Sequence, residues 1–205
     1  MSKYLIDILL VIFGYISGSF PPAYITVKLF NGKDIREIGS GNVGAMNVLR
    51  NVDLILGVIT GILDLTKGFI PVYLAIKYSS NIWISLLVAV ASVVGHNWSI
   101  FLKLTGGKGA ATTVGALLAL SLSPDFDPLV LVPSLIGLIL TFIFFKDFYI
   151  AAVVSYITGP FSFLFIRKSL LEAILFSILA FIVIYKLRFD LKRSFEKIRG
   201  NIKST

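Results

Sequence analysis

The 205-residue chain has no cysteine, one histidine and two methionines. Without cysteine there is no disulfide framework, thiolate metal site or thiol nucleophile. A single histidine excludes a multi-histidine metal cluster. Charge is also scarce: charged residues make up 15% of the chain and hydrophobic residues 57%, where soluble domains hold about 45–50% apolar residues. With seventeen phenylalanines and a mean hydropathy of +0.91, the composition describes an integral membrane protein. The net charge of +8 then reads as cytoplasmic loops facing anionic lipid, not as a nucleic-acid surface. The first apolar run carries Gly14, Gly18 and Pro21-Pro22 and no small-residue cleavage site, so it is expected to stay in the chain as a span, not to be removed as a signal peptide.

Apolar runs of membrane-spanning length predict one all-α domain of seven transmembrane helices, with no internal repeat. The runs lie at about 4–30 (bent at Pro21-Pro22), 52–77, 82–104, 109–122, 129–145, 148–166 (broken near Gly159-Pro160) and 169–187. The run at 109–122 is short for a crossing. Seven crossings place fourteen basic residues on one side and four on the other, with Lys67 inside the second helix. The positive-inside rule then predicts an outside N-terminus and a cytoplasmic C-terminus. The basic stretch from Lys186 to Lys203, interleaved with Phe189, Leu191, Phe195 and Ile198, is expected on the cytoplasmic membrane surface.

The most polar stretch before the C-terminus runs from Asp34 to Arg50 and reads Asp-Ile-Arg-Glu-Ile-Gly-Ser-Gly-Asn-Val-Gly-Ala-Met-Asn-Val-Leu-Arg. Gly39, Gly41 and Gly44 among Ser40, Asn42 and Asn47 suit a backbone that turns sharply and presents N–H groups to an anion. Arg36 and Arg50 flank it with forked donors. No βαβ unit surrounds these glycines, so a dinucleotide fold is not indicated. A second glycine cluster, Gly106-Gly107-Lys108-Gly109, precedes a short helix whose N-terminus and lysine favour an anion. It is not a nucleotide-binding P-loop: its first glycine is missing and Gly109 stands where Ser or Thr is required. The predicted topology puts both clusters on the cytoplasmic side, where they can form one site. Asp64 and Lys67, three residues apart in a membrane helix, are expected to pair. Gly57, Gly61, Asp64 and Gly68 form a stripe suited to close helix packing. His96 lies at the start of the second cluster. No Asp or Glu follows it closely, so no local carboxylate orients it, and Ser40 reads as a hydroxyl donor to phosphate, not as a triad nucleophile.

Taken together, the motifs are specific. Gly18-Ser19 with Pro21, Asp34-x-Arg36, the Gly39–Arg50 run, Asp64-x-x-Lys67-Gly68, Gly95-His96 and Gly106-Gly107-Lys108-Gly109-x-Ala111-Thr112 strongly resemble, in order and over nearly the whole chain, the bacterial acyl-phosphate:glycerol-3-phosphate acyltransferase family. The resemblance implies a multi-pass protein of the bacterial plasma membrane with its site on the cytoplasmic side. It also implies transfer of a fatty acyl group from acyl phosphate to the 1-hydroxyl of glycerol 3-phosphate, the first step of phospholipid synthesis, with no cofactor and no metal. His96, Ser40 and Arg50 would lie at the reacting centre. Arg36, Gly41, Asn42, Gly44, Asn47, Gly106, Gly107, Lys108, Gly109 and Thr112 would bind substrate, with Asp64 and Lys67 in support. Within that set Ser40, Asn42, Asn47, Arg50 and Lys108 would hold phosphate groups. His96 would orient or deprotonate the attacking hydroxyl, or hold a phosphate. The acyl chain would lie between helices, open to membrane lipid.

The sequence departs from the family at two places. Met46 stands where the family usually has Thr. The third family motif, typically Arg-His-Arg-Glu-Asn-Ile, reads Lys186-Leu187-Arg188-Phe189-Asp190-Leu191. Two other readings fit the residues: a transporter of phosphorylated metabolites, whose half-helices also bind anions, and a non-catalytic relative that binds lipid or acyl phosphate.

Overall fold

A computed structural model describes residues 2–79 and 81–203, and among these every regular element is helical. The chain falls into two compact units, Met1–Phe126 and Asp127–Thr205. The first contains α1 (Lys3–Ser19), α2 (Pro22–Asn31), α3 (Ala45–Asn51), α4 (Leu54–Tyr78), α5 (Ile82–Asn97) and α6 (Ala110–Leu120); the second contains α7 (Val132–Phe145), α8 (Phe148–Phe165) and α9 (Leu170–Lys203). Short polar side chains start several of them: Ser2, Asp53, Asn81 and Asp147 each accept a backbone N–H of the first turn. Five segments are long and apolar enough to cross a membrane: Lys3–Asn31, Leu54–Tyr78, Pro128–Phe145, Phe148–Phe165 and Leu170–Arg199. The helices Ile82–Asn97 and Ala110–Leu120 are apolar but shorter.

The first expected helix divides into α1 and α2, because Pro21 and Pro22 carry no N–H. The carbonyls released at the break find donors elsewhere in the unit. Ser99 Oγ donates to the Ser19 carbonyl, and Lys67 Nζ donates to the Phe20 carbonyl at 2.8 Å. Pro71 sits inside α4 without ending it. The acceptor that its missing N–H would have served is the Lys67 carbonyl, which receives the Ser17 hydroxyl at 3.2 Å instead.

Helices of the first unit approach at small residues. A side-chain carbon at Gly18 would overlap the Ser92 carbonyl of α5, and one at Gly68 would overlap the Thr112 carbonyl of α6. Gly95 and Gly115 make the same kind of contact from α5 and α6, against Tyr15 and Leu65. The predicted stripe on α4 therefore packs as expected, but against two neighbours: Gly57 and Gly61 face Leu49 and Ala45 of α3, and Gly68 faces α6.

Three boundaries differ from expectation. The third apolar helix ends at Asn97, not near 104, because Ser99 to Thr105 closes into a compact turn. Ser99 and Thr105 bridge there, and Lys103 and Leu104 adopt left-handed φ of 54° and 59°. In the second unit α8 runs through Pro160 without a break. Gly159 opens its face to the Phe176 ring of α9, which also packs, tilted by 35°, against Phe163 with ring centres 5.0 Å apart. The last helix does not stop at 187: α9 is continuous to Lys203, so the basic stretch extends the same helix. Near its start the buried Glu172 carboxylate receives both the Nε and one terminal nitrogen of Arg167, at 3.0 and 3.1 Å.

Gly68→Ala is expected to destabilise the first unit by about 1–3 kcal/mol, since the neighbouring atom is backbone and cannot rotate away. A thermal melt of the detergent-purified protein checks this, and Gly61→Ala on the same helix, whose added carbon makes only an ordinary contact with Ala45, controls for loss of a glycine.

Candidate active site

The Asp34–Arg50 stretch folds as a 3-10 turn, a glycine loop and α3. Ile35, Val43 and Val48 fasten it to Ala23 and Val27 of α2 and to Leu102. Its centre is Asn47, 4% exposed. The Asn47 amide nitrogen donates to the carbonyls of Ile38 (2.9 Å), Asn42 (3.1 Å) and Ile35 (3.4 Å). Its oxygen accepts from the Ser40 backbone (3.1 Å) and from the Asn51 amide (2.9 Å). Asn47, expected from the resemblance among the phosphate binders, thus spends its side chain on the shape of the loop. Gly39 is required beside it: φ is +55°, and a side-chain carbon would run into the Asn51 amide.

The remaining predicted residues of this stretch lie around the clasp. Ser40 is exposed and its Oγ accepts the Asn42 N–H at 3.4 Å. Gly41 takes φ +69°, and Asn42 is half-buried next to the buried Gly44. Arg50 is exposed on α3. Arg36 is held at its own turn, where Nε and a terminal nitrogen grip Asp34 at 3.0 and 2.6 Å and the guanidinium lies over the Tyr24 ring. The Arg36 hydrogen bonds keep the Asp34 carboxyl below the ordinary carboxylate range.

The second glycine cluster meets the first. The Gly107 N–H donates to the His96 carbonyl at 3.0 Å. A side-chain carbon at Gly107 would overlap His96 Nε2 and lie 2.6 Å from the Val43 carbonyl oxygen. Gly106 rests on the His96 and Asn97 carbonyls, and Gly109 takes φ +81° to start α6. Lys108 is half-buried in this loop. Two glycine-rich segments and the imidazole therefore share one small volume within the first unit.

Beneath this junction lies a buried polar cluster. Lys67 Nζ reaches Asp64 Oδ1 at 2.9 Å, so the predicted pair forms. The same carboxylate oxygen lies 3.3 Å from His96 Nδ1. Thr112 Oγ1 donates to the Asp64 carbonyl at 3.0 Å and stands 3.1 Å from His96 Nδ1. All four residues are buried, at 7% exposure or less. The sequence offered no carboxylate near His96; the structure supplies one from α4. The only trace of it in the sequence was a charge within an apolar helix. Thr112, expected to bind substrate, contacts the imidazole instead. The Lys186–Leu191 stretch lies on α9 of the second unit, where Leu187 is buried and Arg188 stacks over Tyr185 at 3.9 Å and Phe189 at 4.3 Å.

Apolar helices packed through glycine, around a buried ion pair and two converging glycine loops, define a multi-pass membrane protein with a site suited to anionic substrates. The chain belongs to the glycerol-3-phosphate acyltransferase family, which it matches over residues 8–197. It is 40% identical over 201 residues to the glycerol-3-phosphate acyltransferase of Endomicrobium trichonymphae, covering 97% of each chain. It is 36% identical to glycerol-3-phosphate acyltransferase 2 of Moorella thermoacetica, covering 78% of this chain and 79% of the relative. Among solved structures it resembles PlsY (YgiH), an integral membrane glycerol 3-phosphate acyltransferase, in its glycerol 3-phosphate form, with a TM-score of 0.79 and 32% identity over 93% of this chain and 92% of PlsY. The lysophosphatidic acid form of PlsY gives a TM-score of 0.76 at 30% identity, with the same coverage.

Gly107→Ala is expected to lower acyl transfer at least tenfold, because the added methyl occupies the space against His96 Nε2. Turnover by the purified variant, expressed per folded protein as read from a thermal melt, checks this.

Proposed function

We propose that the protein transfers a fatty acyl group from acyl phosphate to the 1-hydroxyl of glycerol 3-phosphate, giving lysophosphatidic acid and phosphate at the start of phospholipid synthesis. The observation that carries this reading is the convergence of both glycine-rich loops on His96, in a chain that belongs to the glycerol-3-phosphate acyltransferase family. PlsY, which resembles it over nearly its whole length, has been solved in forms named for glycerol 3-phosphate and lysophosphatidic acid.

The chemistry suits such a site. An acyl phosphate is a mixed anhydride with a good leaving group, so no covalent enzyme intermediate is needed. The protein must hold two phosphate groups close together, place a hydroxyl against the carbonyl and stabilise the charge that develops. Ser40, Asn42, Arg50 and Lys108, with the backbone of Gly41, Gly44, Gly106, Gly107 and Gly109, supply the phosphate-binding groups. The Asn47 clasp keeps the first loop in shape. Arg36, neutralised by Asp34, contributes at the rim. The acyl chain lies among lipid-facing helices, and no metal or other cofactor takes part.

Counting α5 and α6 with the five longer segments gives seven crossings. The bias of basic residues then places the N-terminus outside and the C-terminus and the site in the cytoplasm of a bacterial cell. A non-catalytic role is the second reading, favoured by the burial of Leu187 where the family motif carries histidine.

Purified protein given palmitoyl phosphate and labelled glycerol 3-phosphate is expected to form lysophosphatidic acid. His96→Ala and Arg50→Ala are each expected to reduce the rate by at least 100-fold, the scale of a lost proton-transfer or charge-stabilising group. Folded wild-type protein that makes no product, with acyl phosphate intact, would exclude acyl transfer and leave the binding role.

A further inference from the structure

The turn between α5 and the second glycine loop presents apolar side chains outwards. Ile100, Phe101 and Leu104 are 47%, 57% and 59% exposed, with Lys103 exposed among them. Leu102 is buried instead and joins Val27 of α2 and Val43 and Val48 of the first glycine stretch. The Thr105 N–H donates to the Leu102 carbonyl at 3.1 Å across two central residues of positive φ, Lys103 and Leu104. This is the geometry of a I′ turn, which Asn-Gly adopts at least cost and which lysine and leucine adopt against steric resistance. That cost points to a use for the two side chains themselves. The turn also satisfies its own backbone. The Leu102 and Leu104 N–H groups reach the Ser99 carbonyl at 3.2 and 2.8 Å, and the Ser99 N–H reaches the Thr105 carbonyl at 3.1 Å. The Phe101 N–H reaches Ser99 Oγ at 3.2 Å, and Ser99 Oγ itself donates to the Ser19 carbonyl, where α1 ends. Non-helical backbone can enter lipid only when its polar groups are bonded in this way.

We propose that the Ser99–Thr105 turn is a wedge seated in the adjoining leaflet of the bilayer, with Ile100, Phe101 and Leu104 among the acyl chains and the Lys103 ammonium on the phosphate of an anionic phospholipid. An apolar tip carrying one lysine fits the boundary between acyl chains and charged headgroups, because the stem of the lysine stays in the apolar layer while its ammonium reaches out of it. Both glycine loops hang on this turn. The second follows it directly through Thr105 and Gly106, and the first is fastened to it through Leu102. Seating the turn therefore fixes the height of both loops at the lipid surface. On the acyl-transfer reading, on which this last step rests, that is the surface where acyl phosphate, itself an amphiphile, arrives.

Because the chain has no cysteine, Ile100→Cys and Leu104→Cys each give a single site for a nitroxide label. Its collisions with oxygen and with a water-soluble nickel chelate are read with the full-length protein in phosphatidylglycerol bilayers. Ile62→Cys, exposed in the middle of α4, marks lipid, and Glu37→Cys, exposed on the 3-10 turn, marks water. Labels at 100 and 104 are expected to favour oxygen over nickel, as at 62. Nickel access equal to that at 37 would overturn the proposal, and so would exclusion of both reagents, which marks cover by protein. Lys103→Gln is expected to raise nickel access at 100 about twofold in phosphatidylglycerol but not in phosphatidylcholine. No difference between the two lipids would overturn the contact of lysine with an anionic headgroup. The double variant K103N/L104G installs the sequence that the turn prefers, so its thermal melt in detergent stays at or above that of the wild type. Its KM for palmitoyl phosphate in phosphatidylglycerol liposomes is expected to rise about fivefold, the worth of one basic residue at an anionic surface, with kcat unchanged within about twofold. A lower melt would assign the two side chains to the fold instead of the lipid and overturn the proposal. An unchanged KM would overturn the link to substrate arrival. Wild-type protein that makes no product would end the acyl-transfer reading, and the labels would still decide the seating.

Discussion

Within a bilayer no hydrophobic force drives one helix against another, because lipid is as apolar as the side chains it would replace. What remains is close contact, and the first unit is built on it. Gly18 against Ser92 and Gly68 against Thr112 bring backbone to backbone, and Gly95 and Gly115 continue the same seams. These approaches seat α5 against α1 and α6 against α4. That placement puts Asp64, His96 and Thr112 within hydrogen-bonding reach although they come from three different helices.

Several polar groups of this interior repair the backbone at its proline interruptions. Lys67 serves Asp64 with its ammonium and also holds the Phe20 carbonyl left over where α1 ends. Ser17 returns the favour from α1, filling the acceptor that Pro71 leaves open at the Lys67 carbonyl. The break between α1 and α2 and the ion pair in α4 are thus one arrangement. The break also turns the chain into the glycine loop, whose inner side is held by Ile35, Val43 and Val48 and whose form is dictated by Asn47.

Much of this was legible in the sequence. The helices follow from apolar runs, the Asp64–Lys67 pair from a spacing of three, and the packing stripe from glycine periodicity. The family could be read because its motifs keep their order and spacing. What escaped was whatever depends on a partner far away in sequence. Asp64 and His96 are on separate helices, so nothing local revealed the carboxylate behind the imidazole. Asn47 looked like a ligand group because an amide in a glycine loop suits phosphate and backbone carbonyls alike. Helix boundaries failed for a related reason: Pro160 does not break α8, and Ser99 closes a turn where apolar residues alone suggested that the helix continues.

The spacing of Asp64 and Lys67 has a consequence for how the protein is made. Both charges lie on α4 and can meet within one turn of it. The helix therefore brings its own counter-ion into the bilayer, and its insertion need not wait for α5 or α6 to be synthesised. Had the carboxylate and the ammonium come from different helices, each would have entered the lipid alone, at a cost of about 2.5–3.5 kcal/mol apiece on insertion scales. Pairing in cis makes α4 a segment that the translocation machinery can release early, and it leaves the histidine of α5 to be recruited once both helices are in the membrane.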